Sequence, residues 1–158
     1  MFRKAAGLAV VALLAGGGVA TAATGSLTDP KGDFPDIVKL SYGNGSSKVT
    51  MTMTYAGARP QNESFYLQWG TTGKRYQVFN SPSAGIRDLR YYPAKNASPK
   101  RIDCGGLRVT QPSARSTKVV IPRDCLTKAA DKLRFQGIAT EGLMSSDETK
   151  VSKAVARG

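Results

Sequence analysis

The residues that could carry chemistry in this 158-residue chain are few. There is no histidine, so neither a Ser–His nor a Cys–His nucleophile pair can be assembled. The two cysteines, Cys104 and Cys125, match no zinc-ligand spacing. In an exported chain an even cysteine count reads as a disulfide. The loop it would close has about 20 residues, worth ~3 kcal/mol by loop entropy; the competing reading is two buried thiols. A carboxylate pair could do acid–base work and a Ser–Lys dyad is open, but no motif surrounds either.

Three further sets have the right chemistry for binding. Asp29, Asp33 and Asp36 surround a glycine bend in Asp29-Pro30-Lys31-Gly32-Asp33-Phe34-Pro35-Asp36. They could offer hard oxygen ligands to calcium, the one cofactor the sequence suggests. The spacing is not that of an EF-hand loop, and aspartates beside Pro and Gly equally make Asx-turns. A basic set, Arg87, Arg90, Lys100, Arg101, Arg108, Lys118 and Arg123, could draw polyanions such as cell-wall polymers or anionic headgroups. The same charges could simply solvate strand faces and blunt edge pairing. They are scattered rather than clustered, which argues against specific nucleic-acid recognition. Tyr66, Tyr91 and Tyr92 could form a platform for sugar rings, against the alternative of cross-strand packing.

The elements that must position these groups are strands. In Lys48–Tyr55, Val49, Met51, Met53 and Tyr55 share one parity and three threonines the other, the pattern of a half-buried antiparallel strand. Val38, Leu40 and Tyr42 alternate before it, joined through Gly43-Asn44-Gly45-Ser46-Ser47 as a hairpin. Phe65, Leu67 and Trp69 alternate, turn at Thr71-Thr72-Gly73, and continue as Tyr76, Val78 and Asn80. Trp69 is therefore expected in the core and Tyr66 on the opposite face. A weaker strand covers Leu89–Tyr92. Leu107–Thr110 and Lys118–Ile121 form a pair flanked by the cysteines, and Leu133, Phe135 and Gly137 lie in a strand ending near Thr140. Residues 141–150 read as a loop, and 151–158 as an edge strand or a frayed tail. Many short strands with Gly and Pro between them mean a sandwich or barrel.

The chain opens with Met1-Phe2-Arg3-Lys4 and an apolar run from Ala5 to Ala15, followed by small residues at Ala20 and Ala22. This is the pattern of a secretory signal peptide over 1–22, with Ala23 the alternative cleavage point. The run is too short for a ~30 Å hydrocarbon core, and no later stretch is long enough to span. Residues 23–35 then read as an extension with an Asp-rich turn, and 36–158 as the domain. Removing Arg3 and Lys4 lowers the net charge from +12 to +10. Arg87–Arg134 carries nearly all of that excess.

Three segments carry a resemblance: Asp29-x-x-Gly32-Asp33 with Asp36-Ile37, then Pro122-Arg123-Asp124-Cys125-Leu126, then the closing Ser152-Lys153-Ala154-Val155-Ala156-Arg157-Gly158. Together they resemble a family of small secreted proteins of high-GC Gram-positive bacteria with no assigned function. The resemblance implies a jelly-roll-like β-sandwich, similar in outline to carbohydrate-binding and DOMON-type modules, and no particular activity. Members often carry an aromatic residue before the closing Val-Ala-Arg-Gly, where this chain has Ala154.

The expectation is an exported, all-β, single antiparallel β-sandwich (jelly-roll-like) with one disulfide. Its expected role is a non-catalytic binding module at the cell envelope, with a cell-wall glycan or anionic polymer as partner. A structural or protein-interaction domain without a small ligand, and a secreted hydrolase working through carboxylates, are the alternatives. The sequence names no protein partner.

Overall fold

A computed structural model describes residues 22–30, 32, 34–143 and 145–158. The proposed signal peptide, apart from Ala22, lies outside the described residues. The chain forms two antiparallel sheets. One contains β1 (Ala23–Thr28), β2 (Ile37–Asn44), β3 (Lys48–Tyr55), β8 (Arg108–Ser113) and β9 (Ser116–Pro122), in the order β1-β2-β3-β9-β8. The other contains β4 (Asn62–Trp69), β5 (Lys74–Ser81), β6 (Ile86–Tyr92), β7 (Lys100–Ile102), β10 (Arg134–Glu141) and β11 (Ser145–Glu148), in the order β11-β10-β4-β5-β6-β7. Among the described residues there is no helix long and apolar enough to cross a membrane.

The period-two pattern does what it requires. Val49, Met51, Met53 and Tyr55 turn inward from β3 and meet Phe65, Leu67 and Trp69 from β4, so each sheet has one dry and one wet face. Tyr42 of β2 stacks on Phe135 of β10 at 4.6 Å, linking the two sheets. Gly137 lies under the Met53 side chain. A Cβ there would fall 2.5 Å from the Met53 sulfur, so any larger residue would displace the Met53 side chain from its place between the sheets.

Cys104 and Cys125 are disulfide-bonded. The bridge joins the crossover that follows β7 to the 3-10 turn Arg123–Leu126 that follows β9. It therefore flanks the β8–β9 hairpin on both sides.

Two segments differ from the sequence reading. Residues 23–28, read as part of an extension, form β1 and pair along β2 from Ala23–Asn44 to Thr28–Lys39. Within 141–150, read as a loop, Ser145–Glu148 forms β11 on the edge of β10. These strands are too polar and too short for periodicity to reveal; their pairing comes from an open neighbouring edge. The C-terminal residues run back beside β10. Backbone bonds join Thr149 N to Gly137 O, Ser152 N to Phe135 O, and Leu133 and Val155 to each other in both directions. Asn44, fully buried, donates from Nδ2 to the Asp131 and Val155 carbonyls at 2.9 and 2.7 Å. The tail therefore docks on backbone and amide bonds, with no aromatic side chain at Ala154.

Candidate functional site

The wet face of the six-stranded sheet carries the densest set of groups suited to binding. Antiparallel register places them in rows across the strands. The middle row is Gln136 on β10, Tyr66 on β4, Gln77 on β5, Arg90 on β6 and Arg101 on β7. Beside it run Arg134, Gln68, Arg75 and Tyr92. With strands ~4.8 Å apart, the middle row extends ~19 Å across the sheet.

Several side chains in this array are held by their neighbours. Tyr92 Oη donates to Gln77 Oε1 at 2.7 Å, and Gln77 Nε2 donates to Ser64 Oγ at 2.8 Å. The Arg75 guanidinium lies over the Tyr92 ring at 4.2 Å and faces the Tyr66 ring at 5.8 Å, both within cation–π range. Gln68 Nε2 donates to Gln136 Oε1 at 3.0 Å, tying β4 to β10. Such mutual hydrogen bonding fixes rotamers before any ligand arrives, which lowers the entropy cost of binding. Burial pushes the Tyr66 hydroxyl above its ordinary pKa, so it is a neutral donor and acceptor at physiological pH.

Above this array is an open groove of about 310 Å³, lined by Tyr66, Gln68, Arg75, Lys95, Gln136 and Ile138. The turn between β4 and β5 makes one wall. Gly73 adopts φ +75°, and a Cβ on it would fall 2.8 Å from the Lys95 backbone. A glycine is therefore what lets Lys95 close that wall. Arg75 Nη1 fastens the turn by donating to the Gly73 and Lys95 carbonyls, each at 3.3 Å.

Of the three tyrosines singled out from sequence, Tyr66 and Tyr92 lie on this face. Tyr91 does not. It points to the dry side and packs with Tyr76 and Trp69, ring centroids 5.2 and 6.1 Å away. Adjacent residues of a strand face opposite ways, so Tyr91 and Tyr92 cannot share a platform. Trp69 is buried.

The seven basic residues do not make one face. Arg90 and Arg101 lie on the wet face of the six-stranded sheet. Arg87 lines, with Arg101, a second groove of about 370 Å³ against Asp88, Asp103 and the disulfide. Within it Arg101 pairs with Asp88 at 2.9 Å. Lys100 pairs opposite Tyr91 at the sheet edge. Arg108 and Lys118 are on the wet face of the other sheet, on the far side of the molecule. Arg123 is structural. It donates from Nε to Gly45 O at 3.1 Å and from Nη2 to Asn44 Oδ1, pinning the β2–β3 turn. Burial, reinforced by the nearby Arg157, lowers the pKa of its guanidinium.

The carboxylates fall into two groups. Glu63 is 1 % exposed inside the sandwich, and Tyr55 Oη and Asn80 Nδ2 donate to its two oxygens at 2.7 and 2.5 Å. It lines neither groove. Asp29 and Asp36 lie close enough to interact, with Asp147 beside them. Burial first, then the charge of Asp147, raises the Asp29 carboxyl above its ordinary range, opposed by Lys150. Asp147 Oδ2 accepts from Ile37 N at 2.6 Å. Asp36 is 5 % exposed, and neither of its oxygens has a partner among the described residues. Asp33, the third aspartate of the expected calcium set, lies outside the described residues. Among the described residues no group of three or more His, Cys, Asp or Glu side chains is placed to hold a metal ion.

Gln68, Arg75, Gln77 and Gln136 were not singled out from sequence. The parity of Gln68 with Tyr66 was available. The pairing of Gln136 with Tyr66 joins residues far apart in the chain and has no local signal. No protein-family model, curated protein or solved structure matches this chain.

Proposed function

We propose that the protein is an exported, non-catalytic binding module of the cell envelope that holds a glycan or anionic polymer on the wet face of its six-stranded sheet. The observation that carries this reading is the groove over Tyr66, with Gln68, Gln136, Arg75 and Lys95 converging on it. A phenol ring offers apolar area to the faces of a sugar ring. Amides and cations at its rim match hydroxyls and acidic groups. The supporting side chains are already bonded to one another, as a preorganised site requires.

The test is co-sedimentation of the protein with purified bacterial cell wall across a salt series. Tyr66→Ala and Gln136→Ala should weaken sedimentation about tenfold, the size expected from a ring or amide at the centre of a small interface. Arg108→Ala with Lys118→Ala, on the opposite face, should leave it unchanged. Loss on the Arg108/Lys118 side with none at Tyr66 would place binding on the other sheet and overturn the reading.

A further inference from the structure

The wet face of the six-stranded sheet is electrically polarised along its middle row, and this inference rests on the binding reading above. Gln136, Tyr66 and Gln77 are neutral donors and acceptors; Arg90 and Arg101, next in register on β6 and β7, are cations. The two guanidiniums share a single counter-charge. Arg90 Nη2 approaches Asp88 Oδ2 at 3.1 Å, and Arg101 Nη2 approaches Asp88 Oδ1 at 2.9 Å. Two cations against one carboxylate leave one positive charge over. The excess is on the outside, because the Arg101 side chain is 77 % exposed and that of Asp88 only 12 %. A guanidinium has five N–H donors in a planar fork, and Asp88 engages one Nη of Arg101. The remaining donors face solvent. Arg90 is also braced over the Phe79 ring at 4.9 Å, so the pair is held in place without a ligand.

From this arrangement we infer that the occupant is an acidic glycan, carrying a carboxylate. A sugar ring lies over Tyr66 in the groove, and the carboxylate of another residue of the chain meets the Arg101–Arg90 fork, two to three strand spacings away (~10–14 Å). A neutral glycan would use only the Tyr66 end. Planar, bidentate recognition of carboxylate is what arginine does and lysine does not. Asp88 acts as an internal competitor: it orders both guanidiniums and offsets part of their field.

The experiment compares polygalacturonate with its methyl ester, which has the same backbone without the charge. Affinity for the purified protein is measured at low and at physiological salt by titration calorimetry. The acid should bind at least about tenfold more tightly than the ester at low salt, the gap shrinking as salt screens it. Arg101→Gln, at an exposed side chain, should remove most of that preference while leaving the ester affinity unchanged. Asp88→Asn should raise affinity for the acid, and Tyr66→Ala should weaken both ligands. Equal binding of acid and ester, or a preference for acid that survives Arg101→Gln, overturns this inference and leaves the binding face standing. Binding of neither polymer removes this inference, while the cell-wall co-sedimentation decides the broader reading independently.

Discussion

Tyr55→Phe removes a single oxygen atom from the interior and tests how the sandwich tolerates a buried carboxylate. Glu63 is 1 % exposed, and its two oxygens accept from Tyr55 Oη and Asn80 Nδ2. A hydrogen bond to a charged group contributes ~1.5–3 kcal/mol, and stranding its buried partner carries the full desolvation penalty. The variant should therefore be ~2–3 kcal/mol less stable at neutral pH. With a urea m-value of ~2 kcal/mol/M for a domain of this size, the unfolding midpoint falls by ~1–1.5 M. In a Glu63→Gln background the charge is gone, and Tyr55→Phe should cost only about 1 kcal/mol. The difference is the coupling read by the double-mutant cycle. The pH dependence adds an independent check. Burial, then the charge of Glu63, pushes the Tyr55 hydroxyl far above its ordinary value of 10.0. The unfolded chain releases this proton above pH 10 while the folded chain keeps it, so the contribution of Tyr55 to stability is complete below pH 10 and declines as pH rises. The gap between parent and variant should narrow in that range. A Tyr55→Phe cost under about 0.5 kcal/mol, with no coupling to Glu63, would refute the picture of a dry carboxylate held by two donors.

Reducing the disulfide, or replacing Cys104 and Cys125 by serine, opens a constraint between residues 21 apart. Loop entropy sets the loss at ~3 kcal/mol, or a melting temperature lower by ~10 °C by calorimetry; a shift under a few degrees would show that the β8–β9 hairpin is held by its own packing. Asp29→Asn should change stability in a pH-dependent way. A carboxyl raised by folding is favourable when protonated, and its contribution is lost as pH rises through the folded value. The asparagine variant should melt above the parent at pH 7 and level with it at strongly acid pH, and an unchanged difference across that range would contradict the raised value.

Much of the sandwich is written in local alternation. Val49, Met51 and Met53 on one parity, and Phe65, Leu67 and Trp69 on another, name their own buried faces because a strand must turn every second side chain the same way. Tyr66 followed from the same rule, and so would the separation of Tyr91 from Tyr92 had parity been applied to them. β1 and β11 escaped because edge strands bury little and need no apolar stripe. The basic residues show the limit from the other direction. Arg90 and Arg108 read alike in sequence, yet they stand on opposite faces of the molecule, because β6 and β8 belong to different sheets.

The positions of the long strands and their inward sets follow from residue type and spacing, and the two cysteines, in a chain read as exported, have only each other to pair with. Each depends on neighbours within a few residues, or on there being only one partner to choose. The binding face depends on something else. Gln136 meets Tyr66, and Arg101 meets Arg90, through cross-strand register. Strand order is set by how two sheets close over a common core, and nothing in a strand's own residues specifies which strand lies beside it. That order decided which polar side chains became a groove and which remained solvated surface.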